Sequence, residues 1–362
     1  MTPKQREARD LHDKLKSNQK VADVLGKSKS AVQQLIAAAR AHENADISIQ
    51  GAMASAGMQD ASVLHSGWIK TDEASLYFQM PKADRSVDLN DVAEAIQAAM
   101  SAIKPANVSA PPKTTESDLL TLYPLPDVHA GMRTKGWGLQ DSVDRVTAGF
   151  ARCIGSSPGS RDAVILVLGD LLHHNDGTNQ TQSGHVLDVA ASVEDTAAAM
   201  VEAIAYGIET ALTKHERVTV SVLKGNHDRD AYLIVLFSLA ERYRKPPRVD
   251  VQRKEGSFFV MQHGTCMLFA HHGDKAKPER LVFQMADEYP EIWGKTRQRF
   301  CFTGHLHHLK SADIGGVSWE QLRAVTPRDD YSRTNSYTAR SEMQAITYCR
   351  KEGEVSRVKV AL

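Results

Sequence analysis

The sequence predicts an α/β fold with a largely parallel sheet, preceded by a separate helical module. From Leu119 onward, apolar runs typical of buried strands alternate with segments of helical periodicity, which is the pattern of strand-helix-strand units. The clearest strand is residues 163–168, whose uninterrupted apolar run predicts burial on both faces. The first forty or so residues instead show only helical periodicity and an excess of basic side chains.

Composition excludes several classes of protein. The chain has 362 residues, of which 42% are hydrophobic, enough for one large catalytic domain and a smaller one. Lys+Arg and Asp+Glu both number 44, so affinity for nucleic acid must come from a local patch. No apolar run approaches about 18 residues and the N-terminus is polar, so we expect a cytoplasmic protein with no membrane span or signal peptide. The four widely spaced cysteines are expected to be reduced.

The basic N-terminal segment has the spacing of a helix-turn-helix. Ala22, Gly26 and Val32 occupy its small, turn and core positions, and Ser28 or Ser30 would cap the second helix. Four polar side chains would then face outward as phosphate or base contacts: Lys27, Lys29, Gln33 and Gln34. Residues 1–42 carry nine Lys or Arg and four Asp or Glu, and this positive excess favours DNA as a ligand. The alternative is a small helical bundle that serves only assembly.

Further patterns divide the chain into two domains and a linker. Residues 66–80 predict a β-hairpin that could form a wing on the helix-turn-helix, and residues 88–103 predict an amphipathic helix. Residues 104–117 are rich in Pro, Ser and Thr and indicate a linker. We therefore assign residues 1–103 to a DNA-binding module and 118–362 to a catalytic domain. The predicted helices of the catalytic domain are residues 141–154, 185–215, 230–244 and 277–293. Its two predicted closing strands are residues 344–350 and 355–360.

Five strand-like runs of the catalytic domain end in residues that bind metals. They precede Asp127-Val128-His129, Gly169-Asp170, Gly225-Asn226-His227-Asp228, His271-His272-Gly273 and Gly304-His305-Leu306-His307. Asp, Asn and His form an oxygen and nitrogen ligand set that suits Mn, Fe or Zn rather than thiolate-preferring metals. Two cations about 3.5 to 4 Å apart need a shared carboxylate, and Asp170 on the central strand is suited to that role.

These five motifs, in this order, resemble the signature of the calcineurin-like metallophosphoesterase superfamily over residues 119–314. The resemblance implies an α/β sandwich of two mixed β-sheets flanked by helices. It also implies two divalent metal ions, with Mn²⁺ expected and Fe, Zn or Ni as alternatives. The first metal would be held by Asp127, His129, Asp170 and His307, and the second by Asp170, Asn226, His272 and His305. His271 competes with His272, which is favoured because it directly precedes Gly273.

The same resemblance implies roles for residues that do not bind the metals. His227 would act as an acid or charge stabiliser, and His227, Asp228 and His173 are the candidate catalytic residues. His173 stands where the family usually has an Asp that supports the histidine at position 227, so the partner of His227 is left open. A hydroxide that bridges the two metals would attack the phosphorus, because the cations lower the pKa of water from about 15.7 toward neutrality.

Three functions compete at this stage. The helix-turn-helix, together with the GDLLHHN run, which resembles the repair-nuclease branch, favours a DNA nuclease. The alternative is a phosphatase or small-molecule phosphodiesterase acting on phosphoprotein, nucleotide or cyclic nucleotide. A non-catalytic DNA-binding regulator is the third. The late run around GHLHH and IGGVSWEQLRAV also resembles phosphoesterases of phages and prophages.

The sequence allows two interpretations of a further set of mostly basic residues and suggests three partners. A set of side chains after the fourth and fifth motifs would either grip a polyanion or form a solvated face: Lys275, Lys277, Arg280, Arg323, Arg328, Tyr331 and Arg333. The expected partner is DNA, with a homo-oligomer as a further candidate. An ATPase partner is also a candidate, because repair nucleases of this superfamily often act with one and this chain contains no P-loop motif.

Overall fold

The structure is a computed structural model that describes residues 2–44, 66–70, 75–79, 104–113, 115–181, 184, 186–253, 256–328 and 338–362. The chain divides into two compact units, Met1–Glu94 (unit 1) and Ala95–Leu362 (unit 2), which are described separately. The predicted helix at residues 88–103 lies outside the described residues. The described part of the predicted linker has no regular secondary structure before its strand begins at Glu116, and the predicted domain boundaries stay a prediction.

Unit 1 contains three helices, α1 (Pro3–Leu15), α2 (Asn18–Leu25) and α3 (Lys29–Asn44). Gly26 ends α2 in the left-handed conformation (φ 60°), as expected for a tight turn between helices. The Ser28 hydroxyl accepts a hydrogen bond of 3.2 Å from the Ala31 N–H at the start of α3. The three helices share a small apolar core: Ala8, Val21, Ala22, Val32 and Ile36.

The polar residues predicted to contact DNA lie on the outside of this bundle. Lys27, Lys29, Gln33 and Gln34 are all exposed. Unit 1 also contains the predicted hairpin strands, β1 (Ser66–Lys70) and β2 (Ser75–Gln79), which pair antiparallel. The turn between them lies outside the described residues.

The first sheet of unit 2 has six strands in the order β13-β12-β3-β4-β5-β6. Its centre is parallel, since β3 (Glu116–Leu125), β4 (Ser160–Val167), β5 (Arg217–Val222) and β6 (Val249–Val251) run in one direction. The closing hairpin, β12 (Glu342–Cys349) and β13 (Gly353–Ala361), adds an antiparallel edge. The sheet is therefore mixed rather than largely parallel, because the chain returns to β3 from the opposite direction.

A second sheet has five strands in the order β10-β11-β9-β8-β7. It is also mixed: β8 and β11 lie parallel to β9, whereas β7 and β10 are antiparallel edge strands. The five strands are β7 (Phe258–His263), β8 (Cys266–His271), β9 (Gln298–Thr303), β10 (Lys310–Ile314) and β11 (Val317–Gln321). The two mixed sheets flanked by helices agree with the architecture that the resemblance implies.

The helices of unit 2 cover the outer faces of the two sheets. α4 (Leu139–Ser156), α5 (Val193–Leu212) and α6 (Tyr232–Arg242) share one apolar cluster with the first sheet. α7 (Pro278–Glu288) shares a second cluster with the other sheet and is followed by α8 (Pro290–Lys295). A third cluster, including Leu166, Leu268 and Phe302, lies between the sheets. Alternate residues of β4 therefore face the helices and the second sheet, which explains its continuous apolar run.

Two predicted helices have the wrong bounds. The segment predicted as a helix from residue 185 begins only at Val193, where the Ser192 hydroxyl caps the first turn. The segment predicted as one helix over residues 277–293 is two, because Pro290 cannot continue a helix and starts a new one. All four cysteines are free, as predicted. Among the described residues, no helix is both long enough and apolar enough to cross a membrane.

Candidate metal centre

The two sheets bring the five motifs to one place. Asp127, Asp170 and Asn226 follow the parallel strands β3, β4 and β5, while His272 and His305 follow the parallel neighbours β8 and β9. Backbone hydrogen bonds join these loops: the His129 N–H donates to the Asp170 carbonyl (2.9 Å), and the Gly304 N–H donates to the His272 carbonyl (2.8 Å). The loops of each sheet are thus fixed relative to their neighbours.

The backbone of these loops is strained. Seven described residues other than glycine have a positive φ, and five of them are predicted metal ligands: Asp127, His129, Asp170, His305 and His307. Non-glycine residues adopt this conformation at a cost of about 1–3 kcal/mol each, and they persist where the surrounding structure enforces it, commonly at functional sites. The strain therefore marks these loops independently of any sequence motif.

The side chains form three groups of candidate donors. Two of them contain only predicted metal ligands, and the third is His129, His173 and His227. In each group, one ligand atom per residue lies within 4.8 Å of the others. The first group is Asp127, His129 and His307, and the second is Asp170, His272 and His305. The two groups correspond to the two ligand sets that the sequence resemblance implies. In the first, the His307 Nε2 lies 3.2 Å from the His129 Nε2 and 3.6 Å from the Asp127 Oδ1.

Asp170 belongs to the second group and also faces the first. Its Oδ2 is 3.2 Å from the His272 Nε2 and 3.6 Å from the His129 Nε2, so one carboxylate oxygen faces both donor groups. The predicted ligand Asn226 also reaches the second group, since its Oδ1 lies 3.2 Å from the His272 Nε2. The geometry thus places a shared carboxylate where two neighbouring cations would need one.

Hydrogen bonds orient the donors. The His272 Nδ1 donates to the Leu168 carbonyl (2.9 Å), which turns the Nε2 toward Asp170. His271, the competing residue, uses its Nδ1 to accept the Gly273 N–H and belongs to neither donor group. The Asp127 carboxylate accepts the His305 N–H at 2.9 and 3.0 Å. The structure therefore places His272, and not His271, in a candidate donor group.

Burial and neighbouring charges shift the pKa values of the side chains at the centre. Burial would raise the pKa of Asp170, but the charge and hydrogen bond of His272, with the charge of His129, hold it well below its usual range. Burial would lower the pKa of His272, but Asp170 raises it to about 10. Burial raises the pKa of Asp127, against the charges of His307 and His272. The field of Asp170 therefore favours positive charge at the neighbouring imidazole.

The three candidate catalytic residues have different surroundings. The His227 Nδ1 lies 2.8 Å from the His173 carbonyl oxygen and must donate to it, which leaves the Nε2 for other contacts. The His173 ring stacks on His227, with ring centroids 5.4 Å apart. His173 thus contacts His227 through its backbone carbonyl and its ring.

Asp228 is fully buried behind the centre. Its Oδ2 accepts the N–H groups of Leu171 (2.8 Å) and Leu172 (3.1 Å), and its Oδ1 accepts the Gly225 N–H (2.8 Å). Burial, followed by the charge of Asp170, raises the pKa of Asp228 to about 6. These contacts tie the Asp170 loop to the Asn226 loop, so the geometry makes Asp228 a positioning residue rather than one that touches substrate.

The centre opens into a cavity of about 940 Å³. Its lining includes the catalytic candidates His227 and His173 and the predicted ligands His129, Asp170, Asn226, His305 and His307. It also includes residues that the sequence prediction missed, among them Met132, Thr326, Arg340 and Ser341. These lie outside the five motifs, and no spacing rule links them to the centre. Of the set predicted to bind a polyanion, Arg323 and Arg328 line the cavity, whereas Lys275, Lys277 and Arg280 do not. Tyr331 and Arg333 lie outside the described residues.

Comparisons with known proteins give only distant similarities. No protein-family model and no curated protein matches the chain. A zinc-complexed Vps29 from Entamoeba histolytica is 14% identical over 67% of this chain and 98% of its own, with a TM-score of 0.30. YfcE, a phosphoesterase from E. coli, is 14% identical over 66% and 98%, with a TM-score of 0.35. A novel archaeal phosphodiesterase is 11% identical over 67% and 99%, with a TM-score of 0.33. At these TM-scores the similarities assign no activity to this chain.

Proposed function

We propose that the chain is a metal-dependent phosphodiesterase that cleaves DNA. The observation that carries this proposal is the pair of donor groups that meet at Asp170 and open into one cavity beside His227. The motif order of the calcineurin-like metallophosphoesterases supports the same class. The resemblance to the repair-nuclease and phage branches is also only proposed, because none of the similar structures described above is a named repair nuclease or phage protein.

The donor groups fit divalent cations. Bonds from Zn²⁺ to imidazole nitrogen or carboxylate oxygen are about 2.0 to 2.2 Å long, so two donors on one ion are at most about 4.4 Å apart. Each group already places its donor atoms within 4.8 Å of one another, so small side-chain movements would complete it. The all-oxygen-and-nitrogen set suits Mn²⁺, Fe, Zn²⁺ or Ni²⁺. Asp127, His129 and His307 would hold one ion, and Asn226, His272 and His305 the other, with Asp170 shared.

The metal ions, when bound, supply a nucleophile at neutral pH and polarise the phosphoryl oxygens. The chain itself supplies positioning and proton handling. His227 is held by the His173 carbonyl with its Nε2 available, so a protonated His227 could donate to the departing oxygen or stabilise negative charge there. Asp228 keeps the Asp170 and Asn226 loops at fixed spacing through its three backbone contacts.

The test of this function is cleavage of end-labelled single- and double-stranded DNA in Mn²⁺ by the full-length protein. The matched control is Asp170→Asn, which retains the shape of the side chain but removes the shared negative charge. We expect cleavage by the wild type and at least about a hundredfold slower cleavage by the variant, because the shared ligand serves both ions. Cleavage at equal rates by both proteins would exclude the two-metal assignment.

The N-terminal unit supports DNA as the substrate class, and we propose that it binds duplex DNA through α3. Lys29, Gln33 and Gln34 are exposed on α3, Lys27 is exposed in the turn before it, and the segment is basic overall. The test is an equilibrium binding assay of the double variant Lys27→Glu/Lys29→Glu against the double variant Lys4→Glu/Lys14→Glu, which makes the same charge change on α1. A much larger loss of DNA affinity for Lys27→Glu/Lys29→Glu supports the proposal. Equal losses of affinity for the two variants would indicate that only the net charge of the unit matters.

A small-molecule phosphodiesterase is the second candidate. The observation in its favour is the size of the cavity, because about 940 Å³ falls within the range of about 300–1,000 Å³ typical of small-ligand sites. Hydrolysis of bis-nitrophenyl phosphate by a protein that leaves both forms of DNA intact would favour this candidate. It would also leave the basic N-terminal unit without a role in substrate binding.

A further inference from the structure

We infer that the cavity holds a second phosphate beside the one at the metal centre, bound by Arg323, Arg328 and Arg340, here called the arginine wall. All three side chains line the cavity. The substrate class would then be a nucleic-acid strand with at least two linked phosphates, rather than an isolated phosphodiester. This inference rests on the proposed phosphodiesterase function and specifies its substrate.

The first part of the wall is fixed to the metal centre by the backbone. The Thr326 N–H donates to the carbonyl of Asp127 (3.0 Å), and the Val325 N–H donates to the carbonyl of Pro126 (3.1 Å). Asp127 belongs to one of the two donor groups. Arg323 and Arg328 therefore flank a segment that is bonded directly to a residue of the centre.

The second part of the wall is held to the first. The Glu342 N–H donates to the Ala324 carbonyl (3.2 Å), and the Ser341 hydroxyl donates to the Thr326 carbonyl (2.7 Å). Arg145 reinforces this junction, since its guanidinium donates to the Val325 carbonyl (3.2 Å) and to the Ser341 hydroxyl (3.3 Å). Arg340, adjacent to Ser341, is thus kept beside the segment that carries the other two arginines.

The charge of the wall exceeds what one phosphodiester requires. Among the described lining residues outside the predicted metal ligands, Arg323, Arg328 and Arg340 are the ones with formal charge, apart from any protonated histidine. A phosphodiester carries one negative charge, which the metal ions alone would neutralise. Arginine side chains at the cavity therefore suit an additional phosphate, which a guanidinium binds in a bidentate manner.

The Arg323 side chain has a buried hydrogen-bond donor that lacks an acceptor in the described part of the chain. Its Nε is buried and has no hydrogen-bond partner among the residues that the structure describes. A buried donor without an acceptor is unfavourable, so a phosphate oxygen that reached it would both satisfy the donor and gain a charge-assisted hydrogen bond. This donor lies in the same wall that the charge argument assigns to phosphate.

The test compares a substrate with one phosphate, bis-nitrophenyl phosphate, with the trinucleotide TpTpT, which has two. The variants are Arg323→Gln, Arg328→Gln and Arg340→Gln, and the control is Arg297→Gln, an exposed arginine of unit 2 outside the lining. We expect each wall variant to lose about tenfold more kcat/KM on the trinucleotide than on the one-phosphate substrate, mainly through KM. Equal losses on both substrates would overturn the inference.

A binding measurement separates this inference from the proposed function. In the full-length His227→Ala background, which we expect to keep its metal ions and to turn over about a hundredfold more slowly, anisotropy of fluorescein-labelled TpTpT and TpT reports binding with little turnover. We expect the trinucleotide to bind more tightly, and the difference to shrink when a wall arginine is replaced by Gln. Absence of any difference between the two probes would refute the arginine wall even if DNA is cleaved. Failure of the wild type to hydrolyse either substrate, with this binding difference intact, would instead refute only the proposed function.

Discussion

His227 is the residue whose role can be separated most sharply from metal binding. Its Nδ1 donates to the His173 carbonyl, and its ring packs edge-on against the predicted ligand His129 with centroids 4.6 Å apart. We predict that His227→Ala lowers kcat by about a hundredfold or more, the usual effect of losing general acid catalysis, with metal content unchanged. Metal analysis by mass spectrometry, with Asp170→Asn as the metal-deficient control, checks this. Metal loss equal to that of the control would make His227 a ligand.

Gly225 shows how closely the two loops approach at the shared carboxylate. A Cβ at this position would lie 2.0 Å from the Asp170 Oδ1 and 2.3 Å from its backbone nitrogen. We therefore predict that Gly225→Ala displaces Asp170, weakens metal affinity and lowers the free energy of unfolding by about 1–3 kcal/mol. Calorimetry with and without metal measures both effects.

The control for Gly225 is Gly155, which lies inside α4 with open space around the position of a Cβ. Gly155→Ala should raise stability by about 0.5–1 kcal/mol, because alanine loses less backbone entropy in a helix. If Gly225→Ala were as well tolerated as Gly155→Ala, with full metal content, the close approach at Asp170 would not matter for the centre.

At the residue scale, the sequence can indicate candidate ligands, but it cannot indicate the residues that position them or line the cavity through long-range contacts. Asp170 and His272 stand out because Asp and His follow apolar runs. Asp228 belongs to the same motif as the predicted ligand Asn226, but its contacts with backbone N–H groups depend on how the loops after β4 and β5 meet. Arg340 reaches the cavity only because the start of β12 returns beside Thr326, a long-range pairing that no local pattern encodes.

At the scale of whole elements, a buried polar network joins β3, the end of α4, β4 and the end of α5. The Tyr123 hydroxyl lies 2.6 Å from the Ser157 hydroxyl and 2.8 Å from the His215 Nε2, while the His215 Nδ1 lies 3.0 Å from the Ser160 carbonyl oxygen. His215 is fully buried. Burial, together with the charge of Lys214, lowers its pKa from 6.5 to about 4, against the Ser160 contact and the charge of Asp162.

This network gives the fold a defined response to pH. Between pH 6.5 and about 4, an unfolded chain binds a proton at His215 that the folded chain does not. The free energy of unfolding should therefore fall as the pH falls through this window, by on the order of 3 kcal/mol in total. Denaturant titrations in a chelator, compared between wild type and His215→Gln, isolate this contribution. Equal pH dependence of the two proteins would exclude it.

Strands with a continuous apolar run could be predicted from the sequence, whereas short or exposed strands could not. β4 and β8 are buried along most or all of their length, and their apolar runs indicate strands directly. β10 is mostly exposed and β6 has only three residues, so neither presents an apolar run. The break between α7 and α8 is marked by Pro290, a local signal that the helical periodicity on both sides obscured.

At the scale of the whole of unit 2, the sandwich was predicted from the family resemblance rather than from periodicity. Alternating strands and helices predict one parallel sheet, and they contain no signal that β7 to β11 form a second sheet. The pairing of β11 with β9 joins strands separated by a hairpin strand, β10. Such an order depends on packing between the sheets, through residues such as Leu166 and Phe302.

The position of the centre between these sheets makes metal binding a matter of stability as well as catalysis. Asp127, Asp170 and Asn226 extend from the first sheet, and His272 and His305 from the second. Cations held by both sets would cross-link the sheets in the folded state only. At a free metal concentration about a thousandfold above Kd, such binding stabilises by about 4 kcal/mol.

We therefore predict that chelation lowers the Tm of unit 2 by on the order of 10 °C, because a loss of about 1 kcal/mol shifts the Tm of a domain of 150–250 residues by about 2–4 °C. Calorimetry of the full chain, with the chelator and after Mn²⁺ is restored, measures the shift. In Asp170→Asn the same treatment should change the Tm little. An equal shift in both proteins would place the stabilising metal elsewhere, whereas none in the wild type would mean that the ligands bind too weakly to hold the sheets together.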